Sequence, residues 1–227
     1  MKEKMYESYP NNRQENWVGY RETESFKSGL EGLENILGIN NTHKMLILAV
    51  ALNLKKATEF SIPPDLVEAH AIEKILSDLG VCFYRDTDAN KRIDKRLQES
   101  GHDEKDRFIY YKIASTPDDL SEAIENAFII NRDGHKAFGE SMEFPDTAIA
   151  AFQQYIEKGD TQALLPLNDV QLTEEERAFS FFRFSSENWE KEIQWLEQII
   201  AGVKEYSPVL YSRVISEYRS ISKRRGD

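Results

Sequence analysis

Between Asn131 and Lys136 the chain reads Asn-Arg-Asp-Gly-His-Lys, with a further glycine at position 139. Arg132, His135 and Lys136 bring basic side chains close together, and Gly134 and Gly139 would let the backbone approach a ligand. Pro145-Asp146-Thr147 then opens a helix, whose first free N–H groups suit a phosphate or carboxylate, and Thr147 adds a hydroxyl. Together these make a candidate site for a small polar or anionic ligand. Two features oppose it. Asp133, Glu140 and Glu143 offset the positive charge, and no Gly-x-x-x-x-Gly-Lys-Ser/Thr signature is present. A solvated turn is the plain alternative, because Asp-Gly is a common turn dipeptide. If the chain does acid–base chemistry, His135 is the best-placed catalytic candidate, in a glycine-bearing connector.

A second polar group, Arg85-Asp86-x-Asp88-x-Asn90, follows a strand candidate. Ligands gather beyond the carboxyl ends of parallel strands, so Arg85 and Asp86 join the candidate ligand set. The Asp-x-Asp-x-Asn spacing resembles the start of a calcium loop, but Lys91 stands where glycine is required and Leu97 where the bidentate glutamate belongs. His70 and Glu73 are three apart on a helix, and a carboxylate-type metal site would need a second such pair. His43 reads as polar surface, and His102-Asp103-Glu104 as a charged loop. Cys82 lies in an apolar strand, where a thiol behaves as a small hydrophobe. No metal is expected and no cofactor or reaction is named. Nucleophile elbow, dinucleotide fingerprint, kinase and His-Glu-x-x-His motifs are all missing.

Composition limits the partners. The net charge of −11 repels phosphate backbones, so nucleic acid and anionic membranes are disfavoured. A lone cysteine excludes an internal disulfide. The first residues show no apolar signal segment, and the longest apolar run, Met45 to Leu52, is too short to span a bilayer. A cytoplasmic protein is expected. Two rival roles rest on the C-terminal part. Trp189, Trp195, Tyr206, Tyr211 and Tyr218 exceed what one small sheet can cover, which suggests a homodimer surface. The basic run Arg213, Arg219, Lys223, Arg224 and Arg225 suits a helix C-terminus, or contact with RNA or an acidic partner.

The elements that must position these groups follow from periodicity. Residues 1–24 read as a polar arm, and residues 25–227 as one helix-rich α/β domain. Phe26, Leu30, Leu33 and Leu37 mark a helix stopped at Gly38. Asn41-Thr42 should cap the next, HKMLILAVALNLKKATEF, which is apolar on nearly every side and therefore buried. Pro63-Pro64-Asp65 opens a helix that ends at Gly80, before the strand VCFYR. A weak helix over Asn90 to Gln98 precedes RFIYYKIAS, the clearest strand. Thr116-Pro117-Asp118-Asp119 caps another helix, the segment 131–144 reads as a connector, and Pro145 to Gly159 as a helix. Thr173 and Glu176 form a capping box, after which FSFFRFS reads as a third strand, with a continuous helix as the alternative, since its phenylalanines fit neither period cleanly. Trp189, Ile193, Leu196, Ile200 and Val203 form a packed seam, and Ser207-Pro208 breaks it before a last helix. Strands separated by helices predict a small, largely parallel sheet of about three strands covered by helices.

The segment NAFIINRDGHKAFGESMEFPDTAIAAFQQYIEKGD, Asn126 to Asp160, resembles an uncharacterised family of archaeal proteins. In that family a loop leads into an aromatic–proline helix start, often followed by paired cysteines. Glu143-Phe144-Pro145 keeps the aromatic–proline step, whereas Thr147 and Ala148 stand where the cysteines would be. The resemblance implies no activity, and a thiol-dependent role would lack its paired cysteines here.

Overall fold

A computed structural model describes residues 17–63, 69–86, 108–126, 134–165 and 172–225. Most of the polar arm, the opening of the helix after Pro63, the helix expected over Asn90 to Gln98, and Arg132 lie outside the described residues. The described residues begin with α1 (Trp17–Arg21), α2 (Glu24–Asn35) and α3 (Asn41–Ala51). The end of the arm docks: Tyr20 donates its hydroxyl to the Asp78 carbonyl at 2.9 Å and meets Phe26 edge-on. Phe26 and Leu33 bury the inner face of α2, but this helix ends before Leu37, which is 71% exposed.

Helix α3 is buried from Lys44 to Ala51, as its unbroken apolar run requires. Asn40 caps it, one residue before the expected pair, by accepting the His43 N–H at 2.8 Å. The helix does not continue to Phe60. Asn53 takes φ 55°, and the N–H groups of Asn53 and Leu54 bond back to the carbonyls of Val50 and Ala49. That is a Schellman turn, with asparagine in the left-handed position usually given to glycine. Beyond it, Ala57–Ile62 forms strand β1, where a helix tail was expected.

Helix α4 (Ala69–Asp78), strands β2 (Cys82–Asp86) and β3 (Ile109–Ala114), and helix α5 (Pro117–Asn126) follow. The sheet order is β1-β3-β2, and both pairings are antiparallel. The largely parallel sheet expected from the alternation of strands and helices is therefore not formed. β1 and β2 do run the same way across α4, but β3 inserts between them and runs against both. Their separation converts a parallel unit into two antiparallel ladders.

The two faces of the sheet serve different cores. Phe60, Ile62, Tyr111 and Ile113 face the main core beneath α3, with Phe60 stacked on Tyr111 at 5.3 Å and 13°. Ala57, Cys82 and Ala114 face a smaller core with Leu120, Ala123 and Met142. Helix α6 (Gly134–Ser141) and helix α7 (Asp146–Lys158) extend this second layer, followed by α8 (Glu174–Phe179), α9 (Trp189–Tyr206) and α10 (Pro208–Arg225). The α9 seam, Leu196 and Val203 above all, is buried within this chain. Those residues are thus consumed internally and do not form an outer face. Among the described residues, no helix is long and apolar enough to cross a membrane.

Packing between α2 and α4 depends on a missing side chain. A Cβ on Gly29 would lie 2.8 Å from the Leu79 backbone nitrogen and 3.0 Å from the Asp78 carbonyl carbon. Backbone cannot swing aside as a side-chain tip can. Gly29→Ala is therefore expected to cost about 1–3 kcal/mol, despite alanine's better helix propensity. A urea midpoint equal to or above wild type would show that the helices separate freely.

Candidate functional site

The segment expected to be a connector is helical. Gly134 to Ser141 forms α6, so His135 and Lys136 sit on its first turn and not on a glycine loop. Gly139 lies inside this helix, where a Cβ would stand 2.8 Å from Ile149 Cγ1. This glycine serves the close approach of α6 and α7.

The helix ends in a second Schellman turn. Glu143 takes φ 55°, and the N–H groups of Glu143 and Phe144 bond to the carbonyls of Glu140 and Gly139. This turn interlocks with the one after α3. The Glu143 carboxyl accepts the Lys56 N–H at 2.6 Å, while the Lys55 ammonium donates to the Met142 carbonyl. Non-glycine residues in the left-handed region carry strain, and both turns place one here.

Beside these turns lies a cavity of about 420 Å³. Phe138, Phe144, Phe152, Phe181 and Phe182 supply aromatic walls, with Gly139, Ala148 and Ile149 between them. His135 and Arg183, both exposed, are the polar side chains among its described lining. The His135 ring meets Phe152 edge-on at 5.8 Å. Phe181 and Phe182 come from the stretch expected as a third strand or a continuous helix, and it forms neither. Helix α8 stops at Phe179, and residues 180–185 run irregularly beside Leu164. Phe179 and Phe184 enter the main core, whereas Phe181 and Phe182 turn to the cavity.

Glu192 of α9 holds the walls. It is 1% exposed, and its carboxyl accepts the Thr147 hydroxyl at 2.5 Å, the Ser185 hydroxyl at 2.6 Å and the Ser185 N–H at 2.8 Å. Thr147, expected to bind ligand, instead ties α7 to this buried acid. Lys136 is exposed and pairs with Glu140 at 3.6 Å. Of the described members of the expected ligand set, the cavity lining includes His135 alone.

Arg85 and Asp86 do not join it together. Neighbours along a strand point to opposite faces. Arg85 pairs in register with Tyr111 on the main-core face, 3.8 Å from Glu73, whose carboxyl also accepts the Tyr111 hydroxyl at 3.1 Å. Asp86 is buried on the other face. The sheet thus stands between Arg85 and the α5–α6 layer.

Lys55 is the residue sequence reasoning passed over. It is 1% exposed, with Nζ 4.4 Å from the Phe144 ring centre, 5.7 Å from Phe181 and 5.9 Å from Trp195. Burial pulls its ammonium down to about 7, against the opposing pull of the Glu143 carboxyl. Elsewhere the basic C-terminal run is partly engaged: Arg219 forks onto Glu174 at 2.6 and 3.0 Å, and Arg213 donates to the Glu34 carbonyl. Among the described residues, no group of three His, Cys, Asp or Glu side chains is placed to hold a metal ion.

Comparison with protein-family models, with curated proteins and with solved structures finds no match to this chain.

Proposed function

We propose that the protein binds a small amphipathic ligand, with a flat or aliphatic body in the aromatic cavity and an anionic group at its mouth. The observation that carries this is the composition of the cavity wall: five phenylalanine rings, with His135 and Arg183 at the exposed edge. Its volume lies within the range of small-molecule sites, which are mostly apolar with a few orienting polar groups. The reading keeps the ligand at the α6–α7 segment but changes its chemistry. Phosphate alone would find little there, because Thr147 and Lys136 are already engaged. An apolar body supplies the binding free energy, and the arginine selects its head group.

Naphthalenesulfonate is a suitable probe, with naphthalenemethanol as its neutral counterpart. In isothermal titration, Arg183→Ala should weaken the sulfonate by about five- to tenfold and leave the alcohol nearly unchanged. Ala148→Phe should abolish binding of both by filling the cavity, while circular dichroism confirms the fold. Undiminished binding of both probes to a folded Ala148→Phe protein would remove the cavity as the site.

A further inference from the structure

Five aromatic rings around a cavity would ordinarily favour a cation, since each ring presents a negative face. The surroundings of Lys55 oppose that preference. Its Nζ lies behind the wall, 4.4 Å from the centre of Phe144 and 5.7 Å from that of Phe181, both of which also line the cavity. The amine is fixed there by the Met142 carbonyl, between two interlocked turns that hold Asn53 and Glu143 at φ 55°. A methionine could fill the same space without desolvating a charge, so packing alone gives no reason for lysine.

We propose that Lys55 is the specificity-determining residue of the cavity, selecting ligands that place negative charge or an electron-rich ring against Phe144 and rejecting cations that the aromatic walls would otherwise attract. This rests on the cavity being a ligand site, as argued above. A ligand atom touching the far side of Phe144 would lie about 8 Å from the ammonium, one ring contact further on. At an effective dielectric of about 20, a full charge at that distance changes affinity by about tenfold or more, upward for an anion and downward for a cation.

The effect is conditional on the charge of the amine. Lys55 loses its proton near neutrality because burial disfavours the ammonium, and Glu143 on the facing turn is the acid that resists this loss. Other ionisable groups on the described elements around it include Lys56, whose N–H is held by Glu143, Glu192 on α9, tied to Thr147 and Ser185, Lys136 and Glu140 on α6, paired with each other, and His135 and Arg183 at the mouth. The preference for anions therefore fades as pH rises through about 7.

The test uses the full chain and three matched probes: naphthalenesulfonate, naphthalenemethanol and naphthylmethyltrimethylammonium. Affinities are measured by isothermal titration from about pH 6 to about pH 8.5, in a His135→Ala background so that the imidazole cannot contribute. At the acid end, the sulfonate-to-ammonium affinity ratio should exceed that of Lys55→Met by about tenfold or more. It should then shrink toward the variant's value as pH rises, while the variant's ratio stays flat and the alcohol binds both proteins alike. An equal ratio in both proteins at every pH would overturn the role of Lys55 and leave the cavity standing. Failure of all three probes to bind would overturn the cavity reading and this inference together. If Lys55→Met does not fold, Lys55→Gln, neutral and still able to donate to the Met142 carbonyl, takes its place, and a ratio equal to that of the Lys55 protein at every pH overturns the role of Lys55.

Discussion

Glu192→Ala should lower stability by about 3–5 kcal/mol, the largest loss expected from any single truncation near the cavity. The carboxyl receives the Thr147 hydroxyl, the Ser185 hydroxyl and the Ser185 N–H, all within 2.8 Å. Alanine offers none of them an acceptor, and a buried donor left without a partner costs about 1–3 kcal/mol. Three elements meet at this group: the first turn of α7, the irregular stretch before α9, and α9 itself. The same substitution should weaken both naphthalene probes, because Ala148 and the phenylalanines at 181 and 182 are positioned through it. Glu192→Gln keeps one acceptor oxygen but turns an amide toward a donor, so an intermediate loss is expected. Urea unfolding with an unchanged slope gives the comparison. A loss below about 1 kcal/mol for alanine would mean that water or another group satisfies those donors equally well.

The parts of this fold that were legible in the sequence are those with local causes. Thr116 accepts the Asp119 N–H at 3.1 Å, Thr173 and Glu176 close a capping box, Gly159 ends α7 in the left-handed conformation, and Pro208 restarts the chain as α10. Each depends on residues within one turn of one another. The sheet was not legible to the same degree, because the direction of β3 depends on partners 24 to 57 positions away in sequence. β1 was hidden by continuity: no glycine or proline stands between Leu52 and Phe60, and only Asn53 signalled the stop. Gly134 and Gly139 misled in the opposite sense. A glycine used for close helix packing is identical in sequence to one used for a turn, and here Ile149 supplies the difference. The candidate site was half visible. His135 reaches the cavity, but Arg85 and Asp86 were separated by the two-residue period of a strand. Lys55 gave no warning, because a lysine after an apolar helix reads as surface.

Lys55→Met should make the protein more stable at neutral and acid pH, and should remove a pH dependence from it. In the folded chain the amine titrates near 7, and in the unfolded chain near its ordinary 10.5. Between those values the unfolded state holds the extra proton, so stability rises with pH. Below about 7 both states are protonated, and the folded state bears the full cost of a buried ammonium. Above 10.5 neither is, and that cost is gone. The stability of wild type relative to Lys55→Met should therefore climb by on the order of 4 kcal/mol from pH 7 to 10.5, with most of the change measurable by pH 10. Comparing the two proteins at each pH cancels the other lysines and the tyrosines, which titrate in both. The ring contacts with Phe144, Phe181 and Trp195 offset part of the burial cost and would be lost in the variant, which limits its gain at pH 7 to about 1–3 kcal/mol. Parallel curves for the two proteins would mean that the amine keeps its proton when folded. The charge selectivity of the cavity would then persist through pH 8.5 instead of fading, so stability and ligand titrations must give the same answer about one proton.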